Sequence, residues 1–134
     1  MLAQAHITAI VPVSDVERAV AFYEGTLGLE LVERRDDLPE NREAEIRAGS
    51  GALLLYESTG AGQSRHTLAG FRVDNVEAVV AGLRERGVTF EEYDLPGLRT
   101  EGGIATVGDV RAAWLRDPDG NIVAIETAGG PRSA

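Results

Sequence analysis

The chain has 134 residues, 43% of them hydrophobic, which is enough for one packed domain or for two fused small repeats. Thirteen Lys and Arg against 22 Asp and Glu give a formal charge of −9, which repels a phosphate backbone, and no basic patch offsets it, so nucleic acid is excluded as a partner. The chain has no cysteine, which excludes disulfides, thiolate catalysis, zinc ribbons and iron–sulfur ligation, and no uncharged run approaches the roughly 18 apolar residues of a membrane span.

Met1-Leu2-Ala3-Gln4-Ala5 carries neither a basic region nor a long apolar stretch, so a cytoplasmic protein with no membrane partner is expected. From His6 to Val13, Ile7, Ala9, Val11 and Val13 alternate with His6, Thr8, Ile10 and Pro12, the period of a strand. Ser14-Asp15-Val16-Glu17 then reads as a capping box, the Ser14 hydroxyl accepting from the Glu17 amide while the Glu17 carboxylate reaches back. Val16, Val20, Tyr23 and Leu27 recur at helical spacing, and Gly28 suits a left-handed helix end. Three strands follow at Leu29 to Arg34, Arg42 to Ala48 and Ala52 to Ser58, with turn chemistry at Asp36-Asp37-Leu38-Pro39-Glu40-Asn41.

After a flexible join over 59–65, the pattern of His6 to Val20 returns at His66 to Val80, with Val13 falling on Val73, Val16 on Val76 and Glu17 on Glu77. The repeat predicts a strand over His66 to Val73, a cap at Asp74-Asn75-Val76-Glu77, a helix through Val76, Val79, Val80 and Leu83, and a stop at Gly87. Strands are expected at Val88 to Tyr93, Arg111 to Asp117 and Asn121 to Thr127, with Asp117-Pro118-Asp119-Gly120 as a turn. Asp94 to Gly103 reads as a surface connection, or as a lid over an entrance. Gly60-Ala61-Gly62 and Gly102-Gly103 lack the context of phosphate loops and read as mobile rims.

Each half therefore reads β-α-β-β-β, an α+β fold of one domain over 1–134 built from two repeats at about 4–58 and 66–127. Val13-Ser14-Asp15-Val16-Glu17-Arg18-Ala19-Val20-Ala21-Phe22-Tyr23, Thr26-Leu27-Gly28-Leu29 and Asp117-Pro118-Asp119-Gly120-Asn121 together resemble the vicinal oxygen chelate superfamily. That superfamily groups glyoxalase I, extradiol dioxygenases, fosfomycin-resistance thiol transferases and bleomycin-resistance binding proteins. The resemblance implies two tandem βαβββ modules whose curved mixed sheets surround a cavity, helices outside, commonly in a homodimer. One alternating face of each strand would pack under a helix and the other would face inward: His6, Thr8, Ile10 and Pro12 in one module, His66, Leu68, Gly70 and Arg72 in the other.

Enzymes of this superfamily mostly hold a divalent metal at four strand positions, which fall here on Thr8, on Leu54 or Leu55, on Leu68 and on Ala124. A hydroxyl, two aliphatic side chains and a methyl group do not hold a cation that wants imidazole or carboxylate. A shifted set of His6, His66, Glu57 and Glu126 would be separated along the sheet by roughly 13 Å relative to the metal-binding arrangement, too far for one ion. No metal and no cofactor are therefore expected. Recognition is the remaining use of the cavity, by Thr8, Tyr56, Glu57, Leu68, Arg72, Trp114, Ala124 and Glu126, with Tyr93 also within reach. Trp114 faces either the ligand or the helix, since the parity of its strand is open by one residue.

The leading expectation is a metal-independent small-molecule binding protein that sequesters an aromatic or cationic compound. The alternative is a metal-dependent lyase, isomerase or dioxygenase with displaced ligands. A homodimer is expected from the sheet edges each module exposes.

Overall fold

The computed structural model describes residues 1–37 and 41–127. Leu38, Pro39 and Glu40, the centre of the expected Asp36 to Asn41 turn, lie outside the described residues. The described residues form two compact units, one within Met1–Ser64 together with Pro118–Asn121, the other of Arg65–Asp117 and Ile122–Thr127.

The first unit has strands β1 (Ala9–Val13), β2 (Glu30–Arg35), β3 (Glu43–Ala48) and β4 (Gly51–Glu57) in the order β1-β4-β3-β2. β1 and β4 are parallel and the other neighbours antiparallel. Between β1 and β2 runs helix α1 (Val16–Val20), which passes directly into a π-helical stretch over Ala21–Thr26. The wider π turn brings Tyr23 fully into the core, beside Val16, Ala19 and Val20. Val11 and Val13 of β1, Leu53 and Leu55 of β4, and Ala44 and Ile46 of β3 form the buried helix-side face. Gly28 (φ 80) ends the helical segment as the sequence predicts.

The second unit has β5 (Thr67–Val73), helix α2 (Val76–Glu85), β6 (Asp94–Leu95), β7 (Leu98–Glu101), β8 (Ile104–Val107), β9 (Val110–Arg116) and β10 (Ile122–Thr127). Its six strands run β5-β10-β9-β8-β7-β6, with β5 and β10 parallel and the rest antiparallel. Val76, Val80 and Leu83 of α2 are buried, as are Ala113, Leu115, Val123 and Ile125 of the sheet, so one face of the strands forms a core with the helix. Among the described residues no helix is long and apolar enough to cross a membrane.

Several local expectations are corrected. Strand β1 begins at Ala9, so His6 and Thr8 precede it. Both helix caps sit one residue later than expected: Asp15 accepts from the Arg18 amide and Asn75 from the Ala78 amide, while the Ser14 hydroxyl accepts from Arg18 Nη2. The expected strand at Val88 to Tyr93 is reduced to one bridge between Phe90 and Leu115. Asp94 to Gly103, expected as a loop, instead folds into the outer strands. Its glycines stand at hairpin corners, and Gly102 and Gly103 both have positive φ (58 and 79), the requirement of a two-residue type I′ turn. Arg84 of α2 donates to the Gly102 carbonyl at 2.7 Å and lies over the Phe90 ring, 5.5 Å from its centroid, so this rim is latched to the helix.

The other expected rim, Gly60-Ala61-Gly62, is held more tightly. A Cβ on Gly62 (φ 74) would stand 2.0 Å from the Asp119 carbonyl oxygen, and the Gly62 amide donates to Asn121 Oδ1 at 3.2 Å. Asn121 is fully buried and its Nδ2 donates to the Pro12 carbonyl at 2.7 Å. Asp119 accepts from the Ser14 amide and from Arg18 Nη2, both at 3.0 Å. The turn before β10 is thereby fastened to the end of β1 and the start of α1.

Asn121→Ala is expected to lower the free energy of unfolding by about 2–4 kcal/mol, because it leaves a buried carbonyl and a constrained amide without their partner. Urea denaturation measures this, and a loss below about 0.5 kcal/mol would mean that the anchor is dispensable.

Candidate functional site

Strand pairing decides which side chains share the sheet faces turned away from the helices. In the second unit Gly70 on β5 pairs with Ala124 on β10, and Ala124 pairs with Trp114 on β9. Their neighbours in the strands, Phe71, Ile125, Ala113 and Leu115, belong to the α2 side, so Gly70, Ala124 and Trp114 share the open side. This settles the parity of Trp114, which is half-buried on the open face. A second row crosses the same face, with Arg72, Glu126 and Ala112 opposite one another and Ala105 and Thr100 beyond them.

An aromatic wall stands at one side of this face. The Tyr93 ring meets Trp114 edge to face, with centroids 5.5 Å apart and planes at 81°. Two backbone attachments hold Tyr93 there. The Glu91 amide donates to the Trp114 carbonyl at 2.8 Å, which keeps this segment on the side of β9 away from β10. Tyr93 and the buried Thr100 are bonded three times: Tyr93 N donates to Thr100 Oγ1 at 2.8 Å, and Thr100 N and Oγ1 donate to Tyr93 O at 2.9 and 3.3 Å. The wall abuts a floor of Ala124 and Gly70, whose side chains are a methyl group and a hydrogen. At the far row Arg72 Nε donates to Glu126 Oε1 at 3.4 Å, with side chains 57% and 31% exposed. So open and long a pair is worth little to stability.

The structure thus brings Arg72, Trp114, Ala124 and Glu126 to one face of the second unit, while Leu68 falls at the register shift of β5 against β10, between Thr67 and Ala69. Tyr56 lies on the open face of the first unit, paired with Pro12 and Glu43 and 36% exposed. Thr8 is exposed ahead of β1. Glu57 differs from the inward placement expected: it pairs with Val13 on the helix side, and its Oε2 accepts from the Val16 amide at 3.0 Å, capping α1. Sequence reading did not single out Thr100, and a buried threonine between two glycine-cornered turns carries no pattern of its own.

The donor set at the positions assigned to a metal does not fit one. Leu54, on the open side of β4 opposite Ile10, takes one position, and Thr8, Leu68 and Ala124 take the others. Glu57 is engaged on α1 and Glu126 with Arg72. Among the described residues no three His, Cys, Asp or Glu side chains group in a way that could hold an ion. Two hollows of about 370 and 560 Å³ lie at the outer strands, around Arg99, Ile104 and Arg111 and around Leu95, Leu98 and Val107. Neither includes Trp114. Their arginines are paired, Arg99 with Asp94 at 3.2 Å and Arg111 with Glu77 at 2.7 Å.

Residues 3–125 match the family model of the Glyoxalase/Bleomycin resistance protein/Dioxygenase superfamily. No curated protein matches the chain. Among solved structures it is similar to a glyoxalase family protein from Enterococcus faecalis, at 21% identity over 94% of this chain and 99% of that one, with a TM-score of 0.70. It is also similar to TnmS3, an antibiotic binding protein from Streptomyces sp. CB03234, at 27% identity over 96% and 100% of the two chains, with a TM-score of 0.67. A glyoxalase/bleomycin resistance protein from the same Streptomyces is 28% identical over 87% and 94%, with a TM-score of 0.65.

Glu57→Ala removes a cap rather than a ligand contact. It is expected to cost about 1 kcal/mol of stability in thermal denaturation and to leave the emission of Trp114 unchanged; a shift in that emission would place Glu57 at the site instead.

Proposed function

The chain belongs to the glyoxalase/bleomycin resistance protein/dioxygenase superfamily, and on that premise we propose that it is a metal-independent binding protein that sequesters an aromatic or cationic small molecule. The observation that carries the reading is the open face of the second unit. Trp114, braced by Tyr93, stands beside a floor of Ala124 and Gly70, with the Arg72–Glu126 pair in the next row. An indole backed by a second ring offers an apolar surface that is already ordered, so packing a planar ligand against it costs little side-chain entropy. A carboxylate on the same face suits a cation, and the formal charge of −9 draws one in over longer range.

Family membership alone leaves binding proteins and enzymes both open, and the chemistry of the metal positions supports the first. Ala124 stands on the very face that a ligand would occupy, and its methyl group neither coordinates an ion nor moves a proton. The likeness to an antibiotic binding protein supports the same choice. Arg72 and Glu126 complete the residues proposed to contact the ligand on this face, while Thr8 and Tyr56 belong to the first unit.

We extend the proposal to a cytoplasmic homodimer. Ile7, just ahead of β1, and Ile10, within it, are 93% and 58% exposed; β1 is an edge strand of its sheet, and a second copy covering it would bury both.

A thermal-shift screen of aromatic and cationic metabolites tests the function. A ligand at 100 times its dissociation constant adds about 2.7 kcal/mol, and Trp114→Ala is expected to abolish that gain. Near-stoichiometric iron, manganese, nickel or zinc in protein purified without chelator, lost on replacing His6 or His66, would overturn metal independence. Sedimentation at the 14.3 kDa mass of one chain would overturn the dimer.

A further inference from the structure

We propose that Gly70 sets how far a flat ring system extends from Trp114, so that the site selects fused polycyclic aromatics over single rings; this rests on the reading of the Trp114 face as the binding face. Gly70 lies inside β5, where glycine weakens a strand because it loses the most backbone freedom on folding and packs nothing. Its conformation does not call for glycine, since it is not among the residues with positive φ. Nor does packing: a Cβ placed on it would meet no heavy atom within 4 Å. The missing side chain leaves open space on the face that Trp114 shares.

That space has a definite relation to the indole. Ala124 lies between them, one strand from each, so at about 4.8 Å per strand the Cα atoms of Gly70 and Trp114 are about 10 Å apart. An aromatic ring lying flat over the strands and meeting the indole edge to face has its centroid about 4.5–7 Å away, which puts it over β10. Tyr93 occupies the other side of Trp114, so a second and third fused ring extend over β5. There a side chain at position 70 would stand upright in their path. A single ring resting against Trp114 over Ala124 would not reach it.

The test uses the protein's one tryptophan as reporter. Proflavine, a three-ring aromatic cation, and N-methylpyridinium, a one-ring cation, are titrated while Trp114 quenching is followed, with proflavine anisotropy as a second readout. Gly70→Leu is expected to weaken proflavine at least tenfold and to change N-methylpyridinium by less than threefold, with no fall in the unfolding midpoint. If the leucine variant does not fold, Gly70→Ala is read in its place, with an expected loss for proflavine alone of about threefold. Proflavine that still quenches Trp114 with affinity within threefold of the unaltered protein in Gly70→Leu, or with unchanged affinity in Gly70→Ala, would overturn the role of Gly70 and leave the binding face standing. Equal weakening of both probes would overturn selection by ring number. Failure of both probes to quench Trp114 in the unaltered protein would overturn the binding face and the role of Gly70 together.

Discussion

A buried amide joins backbone segments that no strand pairing connects. The Asn121 side chain donates to the Pro12 carbonyl and accepts from the Gly62 amide, while Asp119, two residues earlier, accepts from the Ser14 amide and from Arg18. A polar side chain that is fully buried must find partners for both of its ends, and those partners are fixed in space, so the Pro118–Asn121 turn has one acceptable position. The turn also sets where β9 ends and β10 begins. A slip of one residue in that hairpin would send Trp114 and Ala124 to the α2 side and bring Ala113 and Ile125 to the open face. The composition of the candidate site thus depends on hydrogen bonds made elsewhere in the chain.

Charge follows a related logic in the first unit. On the open face of its sheet Glu33 stands directly opposite Glu45, a repulsive arrangement taken alone. Arg35 relieves it by bonding to both Glu33 and Glu43, and these bonds hold its guanidinium pKa above the usual arginine value. The Arg47–Glu45 contact at 3.9 Å adds a weaker counterweight. Solvent screening keeps each of these pairs small energetically, and their effect is to disperse an acidic surface rather than to build stability.

The β-α-β-β-β pattern of the first unit, and β5, α2, β9 and β10 of the second, were legible because alternation and helical spacing are periodic and survive in a single sequence. The caps were legible only to within a residue. Ser14 and Asp15 are both good cap residues, and the choice between them involves Glu57, far along the chain, which takes the Val16 amide and has no local signature. The same residue shows the limit of face assignment: Tyr56 and Glu57 are adjacent, and pairing with Val13 turns the second toward the helix. Asp94 to Gly103 reads as a loop because glycine and proline break strands, yet here they supply the corners of short hairpins, which only the pairing partners reveal. The aromatic wall was half legible, since Trp114 and Tyr93 were evident as residues and their contact depends on Thr100.

The attachment of the outer strands bears on how the second unit breathes. β6, β7 and β8 extend beyond the strands that α2 covers, and the Arg84 latch and the Phe90–Leu115 bridge tie them back. Such a layer opens as a cooperative piece at a lower free energy than β9 and β10. Its amide protons then exchange with deuterium earlier than those of the inner strands. Tyr93 is bonded to that layer through Thr100 and held to β9 through the Glu91 amide on Trp114, so the aromatic pair spans the outer layer and the inner sheet.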